Sequence, residues 1–258
     1  MDDTYDKVNK AWKDTCRILL SEEIGELKDY EKYLQKTGAD PPIEIKSELS
    51  NQKVYTFSTN IKNSKVISGN ELQEYNTKMS KKKIDINKIK DIDSLLEEIE
   101  ELYYAGNIIQ GNSNSITRSD KITDASYIYE SSIIKKCKYT AYSTNVLGCD
   151  HTFGTIYSTN NQFAFRNVCT YNIIRSMEIW WASIDNSDCY YCGNIMGCKK
   201  CMFSFGQKSM HNVIGNNQLT VDKYSKIKEY LLEDIRNTLK AKHNAPSLID
   251  IMERSHNE

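Results

Sequence analysis

The sequence predicts an α+β protein with a central right-handed β-solenoid, about 20 residues per coil, flanked by helices at both ends. Three observations lead there. Cys149, Cys169 and Cys189 recur with a period of about 20 residues, as like positions of stacked coils would. Between Tyr139 and Ser176 the only Asp, Glu, Lys or Arg residues are Asp150, Arg166 and Arg175. A solvated amphipathic helix needs more charge than that, and no 3.6-residue stripe is visible; short β pieces separated by Asn, Gly and Ser turns fit better. Outside this zone, charged segments with helical periodicity precede and follow it. The division predicted is 1–106, a helical and α+β N-terminal region; 107–216, the solenoid with its cysteine cluster; and 217–258, C-terminal helices that cap it.

The first element is a helix over residues 4–36, with Val8, Ala11, Trp12, Cys16, Leu19, Leu20, Ile24, Leu27, Tyr30 and Leu34 on one face. Gly38 and the Pro41-Pro42 pair stop it. Ile43-Glu44-Ile45 and Val54-Tyr55-Thr56-Phe57 read as strands. Ser94 and Glu97 form a capping box for a second helix that carries Leu95, Leu96, Ile99 and Leu102 and ends at Gly106. In the solenoid zone, rows of about 20 residues stack Ile133 over Phe153 and Ile173, which gives about four coils. Thr220 caps the last long helix, with Val221, Tyr224, Ile227, Tyr230, Leu231, Ile235 and Leu239, and a short helix follows Pro246.

Composition narrows the function. Lys plus Arg (34) nearly equal Asp plus Glu (35), so no global field favours nucleic acid or an acidic membrane. No apolar run is long enough to span a bilayer, and the acidic Met-Asp-Asp-Thr-Tyr-Asp start is unlike a signal peptide; the expectation is a cytoplasmic protein. In that compartment the 8 cysteines read as reduced thiols or metal ligands rather than disulfides. No phosphate-binding glycine loop, nucleophile elbow or zinc-protease motif occurs, and no catalytic residue is assigned.

Cys189, Cys192, Cys198 and Cys201 are spaced C-x2-C-x5-C-x2-C. Two C-x2-C turns can aim four thiolates at one structural zinc, and the alternative is four small buried residues of adjacent coils. Cys149 and His151 share one face of an ordinary strand and form a second candidate pair. Trp180 and Trp181, with Tyr190 and Tyr191 one coil on, suggest an aromatic binding face. The run Lys81-Lys82-Lys83 is followed by acidic residues and reads as a solvated loop.

Three segments, Ala105–Ser113, Tyr127–Ser132 and Met202–Ser209, and an Ile214-Gly215-Asn216 ending before Tyr224 and Lys226 carry a resemblance. Over about residues 100–240 the chain resembles a loosely defined group of cysteine-rich, solenoid-like microbial repeat proteins of unassigned activity. The resemblance implies a solenoid and no reaction.

The functional expectation is a non-catalytic scaffold or adaptor that binds another macromolecule, most simply a protein, along its stacked side. Two alternatives stand beside it. One is a redox protein or enzyme subunit using the C-x2-C pairs. The other is a pentapeptide-repeat-like nucleic-acid mimic or binder, since Phe153, Phe163, Val168 and Ile173 fall on five-residue multiples.

Overall fold

A computed structural model describes residues 3–100, 102–168, 171, 173–248 and 250–251. The first helix, α1 (Asp3–Leu20), buries Val8, Trp12, Cys16, Leu19 and Leu20 along one face. The expected helix over 4–36 is interrupted there. Ser21 and Gly25 take left-handed φ values of 64° and 128°, and the chain resumes as a 3-10 turn (Leu27–Tyr30) running into α2 (Glu31–Gln35). The break is fixed by the helix it leaves: the Trp12 indole N–H donates to the Gly25 carbonyl at 3.1 Å, and Asn9 Oδ1 accepts the Leu27 N–H at 2.8 Å. Both halves pack on one surface, so the apolar period runs through the break.

The predicted strands β1 (Ile43–Lys46) and β2 (Lys53–Thr56) pair as an antiparallel hairpin. Then β3 (Val66–Ile67) pairs in parallel with β4 (Ala105–Gly106), and the excursion between them holds α3 (Leu72–Met79) and α4 (Ile92–Ile99). Asp91, not Ser94, is the N-cap of α4. Its carboxylate accepts the Ser94 N–H at 2.9 Å, with Ser94 in the third helical position.

From Ile109 to Ile214 the chain forms a β-solenoid of about eight turns, within one 15-stranded sheet. The register corrects the coil length. Ser132 pairs with Thr144, Thr144 with Ile156, Gly154 with Arg166 and Arg166 with Glu178, one coil on each time. The same step separates Cys137 from Cys149 and Ser119 from Ser131, 12 residues in both cases. Two places carry one extra residue: Ile109 pairs with Ile122, and Ile173 with Asn186. The coil expected from the cysteine ladder is therefore too long by about two thirds. That ladder and the five-residue multiples are coincidences of spacing; of the ladder, Cys169 lies outside the described residues.

Each coil is four steps of three residues. From Ser115 to Tyr142 every third residue has a left-handed φ: Ser115, Arg118, Lys121, Asp124, Tyr127, Glu130, Ile133, Lys136, Tyr139 and Tyr142. After the second extra residue the phase moves by one, and the series runs Asp185, Asp188, Tyr191, Asn194, Gly197, Lys200 and Phe203. A left-handed turn normally favours Gly or Asn and costs other residues about 1–2 kcal/mol each. Here the stacked neighbours hold it, because a residue that left the conformation would break its hydrogen bonds to the coils on either side.

The inward residues follow the same step. Ile122, Ala125, Ile128, Ser131, Ile134, Cys137, Thr140, Ser143, Val146 and Cys149 are all buried. The core is narrow and built from small or β-branched side chains. Its serines stack in register: Ser143 N–H donates to Ser131 Oγ (3.1 Å), and Ser131 N–H to Ser119 Oγ (3.0 Å). Each serine hydroxyl in turn donates to the carbonyl two residues back, at 2.8–2.9 Å.

One side of the solenoid is apolar and covered. Ala141, Tyr142, Phe153, Phe165, Met177, Tyr190, Tyr191 and Met202 are buried against Trp12, Tyr30, Leu34 and Leu239. Trp12 lies 5.3 Å from Phe153 and 4.5 Å from Phe165, ring centroid to ring centroid. Close approach is built into this joint, since a Cβ on Gly154 would stand 2.7 Å from the Leu34 carbonyl oxygen.

The last helix, α5 (Val221–Lys242), starts from the Thr220 cap as predicted. It packs against the last strand of the solenoid, His211–Ile214, as predicted. It runs back along the covered side: Lys228 Nζ sits 4.8 Å from the Tyr190 ring, Arg236 donates to the Leu20 carbonyl at 2.6 Å, and Leu239 is fully buried. The final coil is closed by its own reversal, in which Val213 pairs antiparallel with Gln218. A long apolar flank needs cover along its whole length; a coil end needs only one short pairing segment.

Asp120, 1% exposed, ties the entry of the solenoid together by accepting the N–H groups of Ile108 (3.0 Å) and Lys121 (2.7 Å). Burial pushes its carboxyl above the usual range, and its Oδ2 has no hydrogen-bond partner among the described residues. A carboxyl whose pKa is raised by folding stabilises the protein while protonated and loses that contribution as pH rises through the raised value. Relative to wild type, Asp120→Asn should therefore gain stability as pH climbs from about 4 to 7, read as urea midpoints at each pH. A pH-independent difference between the two proteins would refute the assignment.

Candidate functional site

The four clustered cysteines are inward residues of consecutive steps. Their successive spacings are one, two and one steps of the coil, which reproduces a C-x2-C pattern without any metal. Cys189, Cys192, Cys198 and Cys201 are all buried, in a small core with Ile195 and Val213. Each thiol donates to the carbonyl two residues earlier: Cys189 to Ser187 (3.3 Å), Cys192 to Tyr190 (3.2 Å), Cys198 to Met196 (3.5 Å) and Cys201 to Lys199 (3.6 Å). Ser204 makes the same bond to Met202 at 2.8 Å, so cysteine and serine occupy one structural role. Among the described residues no three His, Cys, Asp or Glu side chains are grouped to hold a metal ion.

Within the cluster, only one pair is stacked directly. Cys189 and Cys201 are register partners on adjacent coils. The Cys189 thiol is pushed up to about 12, first by its hydrogen bond with the Cys192 thiol, with Cys201 pulling the other way, and then by burial. Cys201 is pushed up as well, by its hydrogen bond with Cys189 and then by burial.

Cys149 and His151 are not brought together. Left-handed His151 (φ 64°) breaks strand alternation, so the two residues leave the coil in different directions. Cys149 turns into the core and is disulfide-bonded to Cys137, its register partner one coil earlier, with a Cα–Cα distance of 4.7 Å. Direct stacking places two cysteines inside the range that a disulfide spans, and this corrects the expectation of reduced thiols throughout. His151 packs beside α1, its Nδ1 3.0 Å from Thr15 Oγ1 and its ring 5.2 Å from that of Phe163. Burial lowers its pKa.

The aromatic face is also corrected in part. Tyr190 and Tyr191 are each 3% exposed and belong to the covered side. The Tyr190 hydroxyl donates to the Leu19 carbonyl at 3.1 Å, and Tyr191 stacks on Phe203 with centroids 5.0 Å apart. Trp180 and Trp181 run in the strand Glu178–Ile184; their side chains lie outside the described residues.

An exposed surface that sequence reasoning missed lies half a coil from the covered side. Lys135 pairs with Leu147, Leu147 with Thr159, Ile184 with Met196, and Met196 with Lys208. Tyr171 completes the row: its carbonyl accepts a hydrogen bond from Thr159 Oγ1, and the register of Ile173 with Asn186 sets it below Ile184. Leu147 (45%), Tyr171 (56%), Ile184 (37%) and Met196 (43%) are all open to solvent. At the 4.7–4.9 Å spacing of paired strands, the apolar stretch is about 19 Å long and the two end lysines are about 29 Å apart. The signal was present in the sequence as the coil-length spacing of these residues, visible only once that length is known.

Lys78, Lys81 and Lys82 border an open cavity of about 530 Å³ with Lys65, Tyr75 and Glu48, away from the solenoid row. No helix among the described residues is long and apolar enough to cross a membrane. Comparison of the chain with protein-family models, with curated proteins and with solved structures finds no match in any of the three.

Proposed function

We propose that this protein is a non-catalytic binding scaffold that docks a protein partner on the row Leu147, Thr159, Tyr171, Ile184 and Met196. The observation that supports this reading is the exposure of four large apolar side chains in one row, with Thr159 between the first two. Isolated exposed apolar residues need no explanation; a contiguous line held rigid by backbone pairing is a recognition surface. The covered side shows how this chain treats an apolar flank of its own, by laying α1 and α5 along it. The row opposite has no such cover from the described residues.

Charge defines the partner. Lys135 and Lys136 are exposed at one end and Lys208 at the other, and the row between carries no charge. The complementary surface is an apolar stretch with Asp or Glu at both ends, about 29 Å apart. The test uses synthetic peptides of that pattern against versions flanked by Lys, with wild-type protein and the Leu147→Glu/Met196→Glu variant. Acidic-flanked peptides should bind wild type in a salt-sensitive way and bind the variant at least about ten-fold more weakly, at unchanged thermal stability. Equal binding of both peptide sets, or full binding to the variant, would refute the docking row.

A further inference from the structure

We infer that Cys189 and Cys201 are a latent disulfide pair, a second coil-to-coil crosslink that forms on oxidation. The structure supplies its own precedent. Cys137 and Cys149 are inward, one coil apart in sequence, directly paired in a parallel ladder and joined by a disulfide. Cys189 and Cys201 repeat the first three of these relations: inward, one coil apart and direct register partners, with 2% and 0% exposure. Parallel partners stand about 4.8 Å apart, inside the Cα range a disulfide spans.

The neighbours compete poorly. Cys192 and Cys198 have no cysteine stacked on them: the register of Gly193 with Phe205 sets Ser204 beside Cys192, and that of Lys199 with Ser187 and His211 sets Asn186 and Met210 beside Cys198. The C-x2-C pairs that sequence singles out are thus neighbours along the chain that do not stack. The pair that stacks is separated by a whole coil.

The chemistry closes with a peroxide as oxidant. The Cys189 sulfur, the less buried of the two, attacks one oxygen of hydrogen peroxide, breaking the O–O bond and leaving a sulfenic acid and one water. The Cys201 sulfur then displaces the hydroxyl from that sulfenic acid, forming the S–S bond. The two thiol protons leave in the two waters released. Burial and the raised thiol pKa values make the reaction slow, as befits a site opened by local fluctuation. The crosslink would tie together two successive coils near the end of the solenoid.

The experiment takes the full chain, reduced and desalted, through graded hydrogen peroxide, followed by alkylation and non-reducing peptide mapping. Trypsin cuts after Lys199 and Lys200 and so separates Cys201 from the other three cysteines, and fragmentation assigns the linked residue. A Cys189–Cys201 link is expected, two hydrogens lighter than the reduced pair. The thermal midpoint should rise by about 5 °C over the same protein with only Cys137 and Cys149 joined. Cys189→Ser and Cys201→Ser should abolish both changes, and Cys192→Ser should keep both. A Cys189–Cys192 or Cys198–Cys201 link would overturn the assignment. So would four unreacted thiols under conditions that rejoin Cys137 and Cys149, or stoichiometric zinc on the freshly purified chain.

Discussion

Replacing Trp12 by alanine is expected to cost about 3–5 kcal/mol, the range for truncating a fully buried large aromatic. Trp12 is 0% exposed and touches three rings that belong to different parts of the chain, Tyr30, Phe153 and Phe165. Its indole N–H also holds the Gly25 carbonyl that turns α1 into the following segment. Alanine would therefore leave a cavity, an unpaired carbonyl and a loosened joint between the helices and the solenoid. The thermal midpoint should fall by about 10 °C. Trp12→Phe keeps a ring and loses the N–H, so its cost should be nearer the roughly 1–3 kcal/mol of an unsatisfied buried group. A Trp12→Ala protein within about 1 kcal/mol of wild type would mean that the solenoid does not depend on its covering helices.

Arg166→Met is expected to be nearly as damaging, for a different reason. Arg166 (1% exposed) and Glu178 (3% exposed) are register partners in the middle of the apolar side. The guanidinium lies over the Tyr33 ring at 4.5 Å, and its positive charge opposes the burial that raises the Glu178 carboxyl. Both Nη atoms of Arg166 and Oε2 of Glu178 lack hydrogen-bond partners among the described residues, so the two interact through charge alone. Removing the arginine leaves Glu178 buried without that compensation, which costs up to about 3–5 kcal/mol. The Arg166→Met/Glu178→Met double variant should recover much of the loss. It keeps a deficit of about 1–3 kcal/mol, because Glu178 Oε1 accepts the Leu248 N–H at 2.7 Å and methionine cannot. Chemical denaturation of the two single variants and the double gives the coupling directly. Additive effects would show that the two charges act independently.

The candidate site divides along the same physical line as the fold. The cysteine cluster was legible as residues and spacing, but its meaning depended on the coil. With a three-residue step, C-x2-C is simply two successive inward positions. The alternation rule that joined Cys149 to His151 holds for ordinary extended strands and fails where His151 takes φ 64°. Tyr190 and Tyr191 looked like a binding face because aromatic residues at a solenoid surface are open until something covers them. Here α5 does, with Lys228 over Tyr190.

By itself, the sequence determined that the middle of the chain is β structure wound in coils, that helices flank it, and that α1 and α5 each carry one apolar face. Those features follow from local composition: few charges, many Asn, Ser, Thr and aromatic residues, and 3.6-residue periodicity at the ends. The tertiary structure alone decided the true coil length, the side that is covered and the side left open. The reason is that the left-handed turns setting the coil fall on Arg118, Lys121, Tyr127, Ile133 and Lys136, residues with no preference for them. A chain whose turns are encoded by Gly and Asn announces its period. In this one the turn is paid for by stacking on the next coil, and that is a property no single stretch of sequence contains.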